Sequence, residues 1–282
     1  MMSIMIIIMT IILNIKKLPM QTPVPAVLIT GASTGIGAVY ADRFAHRGHN
    51  LVLVARDQAR LDKLAARLRS ETGVSVDVLR ADLTDSADVE RVAARLRSDD
   101  RIGILVNNAG AAGEGGFTNP SPQDAERIIK LNVTAVTLLA AAVVPRFLER
   151  GAGSIINISS IVGLAPEVPF GVYGATKSYV LSFSQNIQSE LGPRGVYVQA
   201  VLPAATRTEI WERSGRDVNQ LSGVMDVSEL VDAALVGFDR RETVTIPSLP
   251  DVGQWTAFEA ARQAMLPNFR NEHAAERYRQ PA

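Results

Sequence analysis

The sequence predicts an α/β fold built on a doubly wound parallel sheet, and three observations carry that reading. Short runs of Val, Ile, Leu and Ala recur at residues 26–29, 50–55 and 102–106, apolar throughout rather than alternating. Strands buried on both faces of a parallel sheet read this way. Between them lie segments of helical periodicity, such as Leu61, Leu64, Ala65 and Leu68, so strands and helices alternate as in βαβ units. The first run opens into Gly31, Gly35 and Gly37, with Ser33, Thr34 and Ile36 in the same turn, and a helical pattern follows. Strand, glycine turn and helix in that order make a seat for pyrophosphate, because backbone N–H groups and the positive end of the helix dipole converge there.

The remaining elements follow in order. Residues 37–48 read as a helix closed by Gly48, and 58–72 as a second helix ending before Gly73. Residues 74–80 are a third strand. Residues 86–98 are a helix with Ser86 as a candidate N-cap. Residues 124–145 are a helix whose apolar residues wrap more than one face, as a sheet on one side and a second subunit on the other would require. Residues 154–159 and 196–202 are further strands, separated by a helix from Tyr173 to 191 that Gly192-Pro193 stops. A helix at 227–238 and a last strand at 243–246 complete the sheet. Trp255, Phe258, Ala261 and Met265 predict a packed C-terminal helix near Pro267, and 271–282 a frayed terminus.

Composition excludes several functions. The 282-residue chain has zero net charge and 47% hydrophobic residues, enough for one large core and without the charge excess that favours nucleic acid. No cysteine is present, which removes disulfides, thiolate catalysis and cysteine-ligated metals. No third metal ligand accompanies His46 and His49, so no metal site is expected. Residues 1–20 stand apart: they hold five of the seven methionines and no Ala, Gly or Arg. Their apolar run is shorter than the ~20 residues of a membrane span and lacks signal-peptide features. They read as upstream sequence with Met20 as the natural start, a short hydrophobic anchor being the alternative. The domain proper is then 21–282, one domain, expected in the cytoplasm and without a membrane partner.

Arg56 directly follows the second strand, where dinucleotide folds meet the adenosine ribose. A guanidinium there pairs with a 2′-phosphate in bidentate fashion, which favours NADP(H). The alternative gives the ribose to Asp57, with Arg56 a surface charge. Asp82, after the third strand, is placed to accept from an adenine amino group with Leu83 against the ring, or else to cap a turn. After the fourth strand, small residues among Asn107, Asn108, Ala109 and Gly110 let a flat cofactor approach the backbone, and the asparagines can bond the local chain or bridge strands; a plain turn is the alternative.

TGASTGIG at 30–37, NNAG at 107–110, and Ser160, Tyr173 and Lys177 resemble the short-chain dehydrogenase/reductase family, in its single-domain ketoreductase form, over residues 25–247. The resemblance implies a Rossmann-like, three-layer fold with a seven-stranded parallel sheet and NAD(P)-dependent carbonyl–alcohol interconversion. It makes Asn132 the residue that supports a relay water. It selects Ser160 over its neighbour Ser159, because the family serine lies thirteen residues before the tyrosine. It puts Pro203, Thr206 and Thr208 at the nicotinamide, with Ala204 where the family usually has glycine, and a mobile lid over 206–226. It further implies a homodimer or homotetramer acting on a small-molecule carbonyl or alcohol.

The residues themselves support the chemistry. Tyr173 and Lys177, four apart, share a helix face. A phenol near pKa ~10 is too weak an acid for exchange at neutral pH, and a neighbouring ammonium is expected to lower it. Ser160 has no nearby histidine, which disfavours a hydrolase triad. The sequence therefore predicts NADPH-dependent reduction of a carbonyl, with Tyr173 the proton donor. The alternatives are an NADP(H)-binding sensor without turnover and an epimerase or dehydratase that recycles its hydride.

Overall fold

The computed structural model describes residues 24–113, 117, 121–213, 215 and 217–279. The expected N-terminal extension, 1–20, lies outside the described residues, as do 214 and 216 within the expected lid. Seven parallel strands form one sheet: β1 (Ala26–Thr30), β2 (Leu51–Ala55), β3 (Val76–Arg80), β4 (Ile102–Asn107), β5 (Gly153–Ile158), β6 (Val196–Val201) and β7 (Val244–Thr245), in the order β3-β2-β1-β4-β5-β6-β7. The order reverses between β1 and β4, and such switch points are where open α/β sheets bind ligands.

Period-two alternation within each strand feeds two separate cores. Val27, Ile29, Leu51 and Leu53 pack on one face with helices α1 (Gly35–His46), α2 (Gln58–Thr72) and, further along the chain, 227–239. Ala26, Leu28, Val52 and Val54 pack on the other with α3 (Ser86–Ser98) and the helix that follows β4. Burial on both faces explains the unbroken apolar runs in β1 and β2. Edge strand β3 is fully buried only at Val76.

Capping settles the helix starts. Asp57 caps α2 by accepting from Arg60 N at 3.0 Å. Asp85, not Ser86, caps α3, accepting from Ala87 N and Asp88 N; a carboxylate one residue earlier reaches both orphan donors. The helix expected at 124–145 runs from 122 to 150: α4 (Pro122–Ile129), a π-helical segment Lys130–Ala135 and α5 (Val136–Arg150). Pro145 is tolerated within it. This helix is apolar enough by length and composition to cross a membrane, yet Leu139, Val143 and Phe147 are buried in the second core. Helix α6 (Gly171–Leu191) follows β5, then a short helix α7 (Ile210–Arg213), α8 (Val227–Asp239) and α9 (Val252–Ala264). Within the chain, helix α9 has no buried residue; Trp255 packs against a small cluster around Leu181 and Leu202. Phe258, Met265, Leu266 and Phe269 are exposed.

A buried polar chain ties the middle of the sheet to α6. Asn107 Nδ2 donates to Asn157 Oδ1 at 3.0 Å, Asn157 Nδ2 to Ser184 Oγ at 2.9 Å, and Ser184 Oγ to Val180 O at 2.6 Å. Removing one link leaves buried groups unpaired, at about 1–3 kcal/mol. Asn157→Leu is therefore expected to lower unfolding free energy by about that amount in urea denaturation, despite adding apolar surface; a stability equal to wild type would mean the chain contributes nothing.

Candidate active site

The glycine turn after β1 is built by close backbone approach. A Cβ at Gly37 would overlap Gly31 O and Asn108 Nδ2, and one at Gly31, where φ is +66°, would lie 2.7 Å from Asn108 Nδ2. Only glycine fits both places. Asn108 explains the crowding: its Nδ2 donates to Thr30 O at 2.8 Å and Gly31 O at 3.2 Å. Asn108 thus fastens the turn to the end of β4. Thr30, which the sequence reading passed over, receives the N–H groups of Asn108 and Ala109 on its hydroxyl, each at 3.0 Å. A buried hydroxyl at the end of an apolar strand was the signal for it. Helix α1 starts here at Gly35 with N-cap Thr34, which makes no side-chain cap bond, and no acid stands in its first turn. Ser33 stands in this turn, and Ile36 packs against the first core. Glycine backbone and an uncapped helix start suit an anion, so these residues fit a dinucleotide pyrophosphate.

At the end of β2, Arg56 extends into solvent with Nη1 4.0 Å from Asp82 Oδ2. Asp57 is committed to capping α2. Asp82 accepts from Thr84 N at 3.0 Å and Thr84 Oγ1 at 2.8 Å, which is the turn-capping alternative. Burial opposes its charge, but these bonds with Arg56 and Arg80 hold its carboxyl below the usual range. Leu83, beside Asp82, packs its side chain with Val89 and Val92 in the second core.

The π segment places Asn132. One extra residue per turn widens the helix locally and re-aims its side chains. Asn132 Nδ2 donates to Ala111 O at 2.9 Å and Thr176 Oγ1 at 3.0 Å, and its Oδ1 accepts from Ala111 N at 2.9 Å. Both amide hydrogens are used, so the side chain fastens the loop after β4 to α6. A Cβ at Gly110 would lie 3.4 Å from Asn132 Oδ1 and 3.5 Å from Lys177 Nζ, which puts Asn132, Gly110 and Lys177 together.

Ser160 follows β5 and Tyr173 stands in the first turn of α6, with the Ser160 hydroxyl near enough to the phenol to favour its ionised form. Ser160 Oγ also donates to Pro203 O at 3.2 Å. Ser159 turns away and donates to Lys177 O at 2.7 Å. Lys177 is 5% exposed, donates from Nζ to Ile158 O at 2.8 Å, and sits 5.6 Å from the centre of the Tyr173 ring. The expected acidic tyrosine is corrected. Burial pushes the phenol up to about 12, the Ser160 hydroxyl alone pulling it down, and burial pulls the ammonium to about 8. Desolvation leads both shifts, and the ammonium is bonded to Ile158 O.

On the opposite wall, Thr206 Oγ1 donates to Ala204 O at 2.9 Å, and Trp211 Nε1 donates to Thr206 O at 2.7 Å. Thr208 Oγ1 reaches Thr206 O only at 3.5 Å. Thr206 pairs with Met225 in a one-residue bridge that closes the neck of the expected lid.

A phenol, an alcohol beside it and a glycine turn at one sheet edge define a class of α/β protein with a dinucleotide-type binding turn. The short chain dehydrogenase family model matches residues 25–219, and the chain belongs to that family. It is similar to the solved short-chain dehydrogenase from Sphingobium yanoikuyae in complex with NADPH, with 62% identity, 91% of this chain and 100% of that one covered, and a TM-score of 0.90. It is also similar to the bulky-bulky ketone specific alcohol dehydrogenase from Comamonas testosteroni, at 56% identity, 92% and 100% coverage and a TM-score of 0.86. Human 17-beta-hydroxysteroid dehydrogenase type 3 is 32% identical over 85% of this chain and 79% of that protein. The chain spans 60% of the length of very-long-chain 3-oxoacyl-CoA reductase from Anas platyrhynchos, at 32% identity over 191 residues.

The depressed Lys177 pKa sets a stability signature. Between about pH 8 and 10 the unfolded chain holds a proton on this lysine that the folded chain has released, so this group's destabilisation fades as pH rises. At pH 7, Lys177→Met is expected to be more stable than wild type by about 1–3 kcal/mol, after allowing ~1 kcal/mol for the lost bond to Ile158 O. Thermal or urea unfolding at pH 7 and pH 10 checks it; the gap should shrink at pH 10, and a constant gap would contradict the burial argument.

Proposed function

We propose that the protein is an NADPH-dependent ketone reductase whose substrates carry bulky groups on both sides of the carbonyl. One observation carries the reading: Ser160 at the end of β5 and Tyr173 at the start of α6 meet at one sheet edge, with the buried Lys177 ammonium 5.6 Å from the phenol ring centre. When bound, the dinucleotide supplies the hydride that the carbonyl carbon receives. Ser160 donates a hydrogen bond to the carbonyl oxygen and fixes its position. Tyr173 donates its proton to that oxygen as negative charge develops there, which yields the alcohol. Burial keeps the phenol protonated until then. Lys177, with a pKa of about 8, is charged at neutral pH. Its positive charge beside the ring favours the phenolate as it forms. Asn132 is a positioning residue that holds the loop after β4 against α6, beside the route by which water restores the proton.

The preference for NADPH rests on Arg56, with Asp57 engaged as a helix cap, and on the NADPH bound by the Sphingobium relative. The substrate class rests on the name of the Comamonas relative and on the small side chains of Ala111, Ala112, Ala204 and Ala205 on the two loops flanking the site. The protein further works as a homo-oligomer, a second copy covering the exposed Ile129, Leu138 and Tyr179 of α4, α5 and α6.

A panel of ketones, aldehydes, β-ketoacyl thioesters and steroids, read by NADPH absorbance, tests the reading. Ketones with two large substituents are expected to turn over best; NADPH binding without oxidation by any carbonyl would overturn it. Tyr173→Phe should lower kcat by roughly 10³-fold while NADPH still binds. Arg56→Ala should lower the NADPH-to-NADH preference in kcat/KM by about 10- to 100-fold, the value of one charged hydrogen-bonded contact.

A further inference from the structure

The start of the lid is tied to the opposite end of the sheet by one ion pair. Arg60 Nη1 donates to both carboxylate oxygens of Glu209, each at 2.8 Å. Arg60 lies in the first turn of α2, just after β2, and four residues from Arg56. Glu209 lies just after the strand β6 and the neck at Thr206. In the sheet, β2 and β6 are four strand spacings apart, about 19 Å. The chain from the end of β6 at Val201 to Glu209, eight residues long and so able to reach about 27 Å when extended, crosses that span over the glycine turn. Three contacts trace it in sequence: Thr206 bridges Met225, Thr208 lies over Gly35, where a Cβ would meet Thr208 Cγ2 at 3.2 Å, and Glu209 reaches Arg60. The crossing therefore runs above the seat that the fold offers to pyrophosphate, from its nicotinamide end to its adenosine end.

We infer that Arg60 and Glu209 are positioning residues that close a strap over the bound dinucleotide, so that cofactor entry and release both require this ion pair to open. The inference rests on the NADP(H) reading above. Both side chains are partly exposed, so the pair is a weak latch that opens often, not a permanent bolt. Breaking it raises the rate of entry and the rate of release together, because the same opening serves both. Added salt screens it.

The full chain tests this by stopped-flow fluorescence of NADPH and, separately, of NADH. In Glu209→Gln and in Arg60→Gln, association and dissociation rates for both cofactors are expected to rise two- to five-fold. The charge-swapped double variant, Arg60→Glu with Glu209→Arg, is expected to return both rates toward wild type, which a merely structural role would not do. Rising NaCl should speed wild-type release and leave Glu209→Gln comparatively unaffected. Hydrogen exchange of residues 208–213 in the cofactor-free protein should be faster in Glu209→Gln. Wild-type rates and wild-type exchange in Glu209→Gln would overturn the strap. So would an Arg60→Gln defect confined to NADPH with Glu209→Gln unaffected, which would make Arg60 a phosphate ligand instead. If the wild type binds neither cofactor, the NADP(H) reading itself fails, a different result from binding with unaltered rates.

Discussion

A charged amine held almost out of water is the constraint around which the site is organised. Lys177 is 5% exposed with its Nζ on Ile158 O, and an ammonium in such a place costs several kcal/mol unless it is bonded or gives up its proton. The fold bears this by shaping three elements around it. Strand β5 ends in a carbonyl aimed at the amine. Gly110 leaves room beside it, and Asn132 closes the space from the π segment. The consequence reaches the neighbour: the same dry surroundings that depress the lysine raise the Tyr173 phenol. The two shifts have one cause, so a site wet enough to relax one would relax the other.

Rigidity around that amine comes from polar bridges instead of packing alone. Thr30 and Asn108 join β1 to β4 above the glycine turn, Asn107, Asn157 and Ser184 join β4, β5 and α6, and Asn132 joins the next loop to Thr176 on α6. Apolar contacts would tolerate small slides of one strand end against another. Directional bonds between buried amides do not, since each displaced donor is left unpaired. These bridges sit at the carboxyl ends of the strands, where ångström-scale placement matters to a proton transfer.

The elements legible in the sequence were those specified by local spacing. The all-apolar strands, Tyr173 and Lys177 four apart, and Gly31 with Gly37 each state their geometry within a few residues. The π segment was not legible, because its residues have no composition distinguishing them from an α-helix, and only the pull of Ala111 and Thr176 on Asn132 gives it a purpose. That the asparagines after β4 could bridge strands was legible, but not which strand Asn108 would meet until β1 is seen beside it. The direction of the Tyr173 shift depends on how dry the site is, which no spacing records.

Apolar periodicity also says which residues seek cover without saying what supplies it. Trp255, Phe258 and Met265 share a helical stripe, and the sequence alone makes them a packed helix. In the structure only Trp255 finds its own domain, while Phe258 and Met265 face outward. The same holds for Ile129 and Leu138 on the long helix before β5, whose inner face is buried against the sheet. A helix that is apolar on both sides has satisfied one demand within the chain and retains a second. Such a face has a cost in water that a monomer keeps and an assembly removes. The long helix also carries the π segment, so any partner seated on its outer face would bear on the backbone that aims Asn132 at the site.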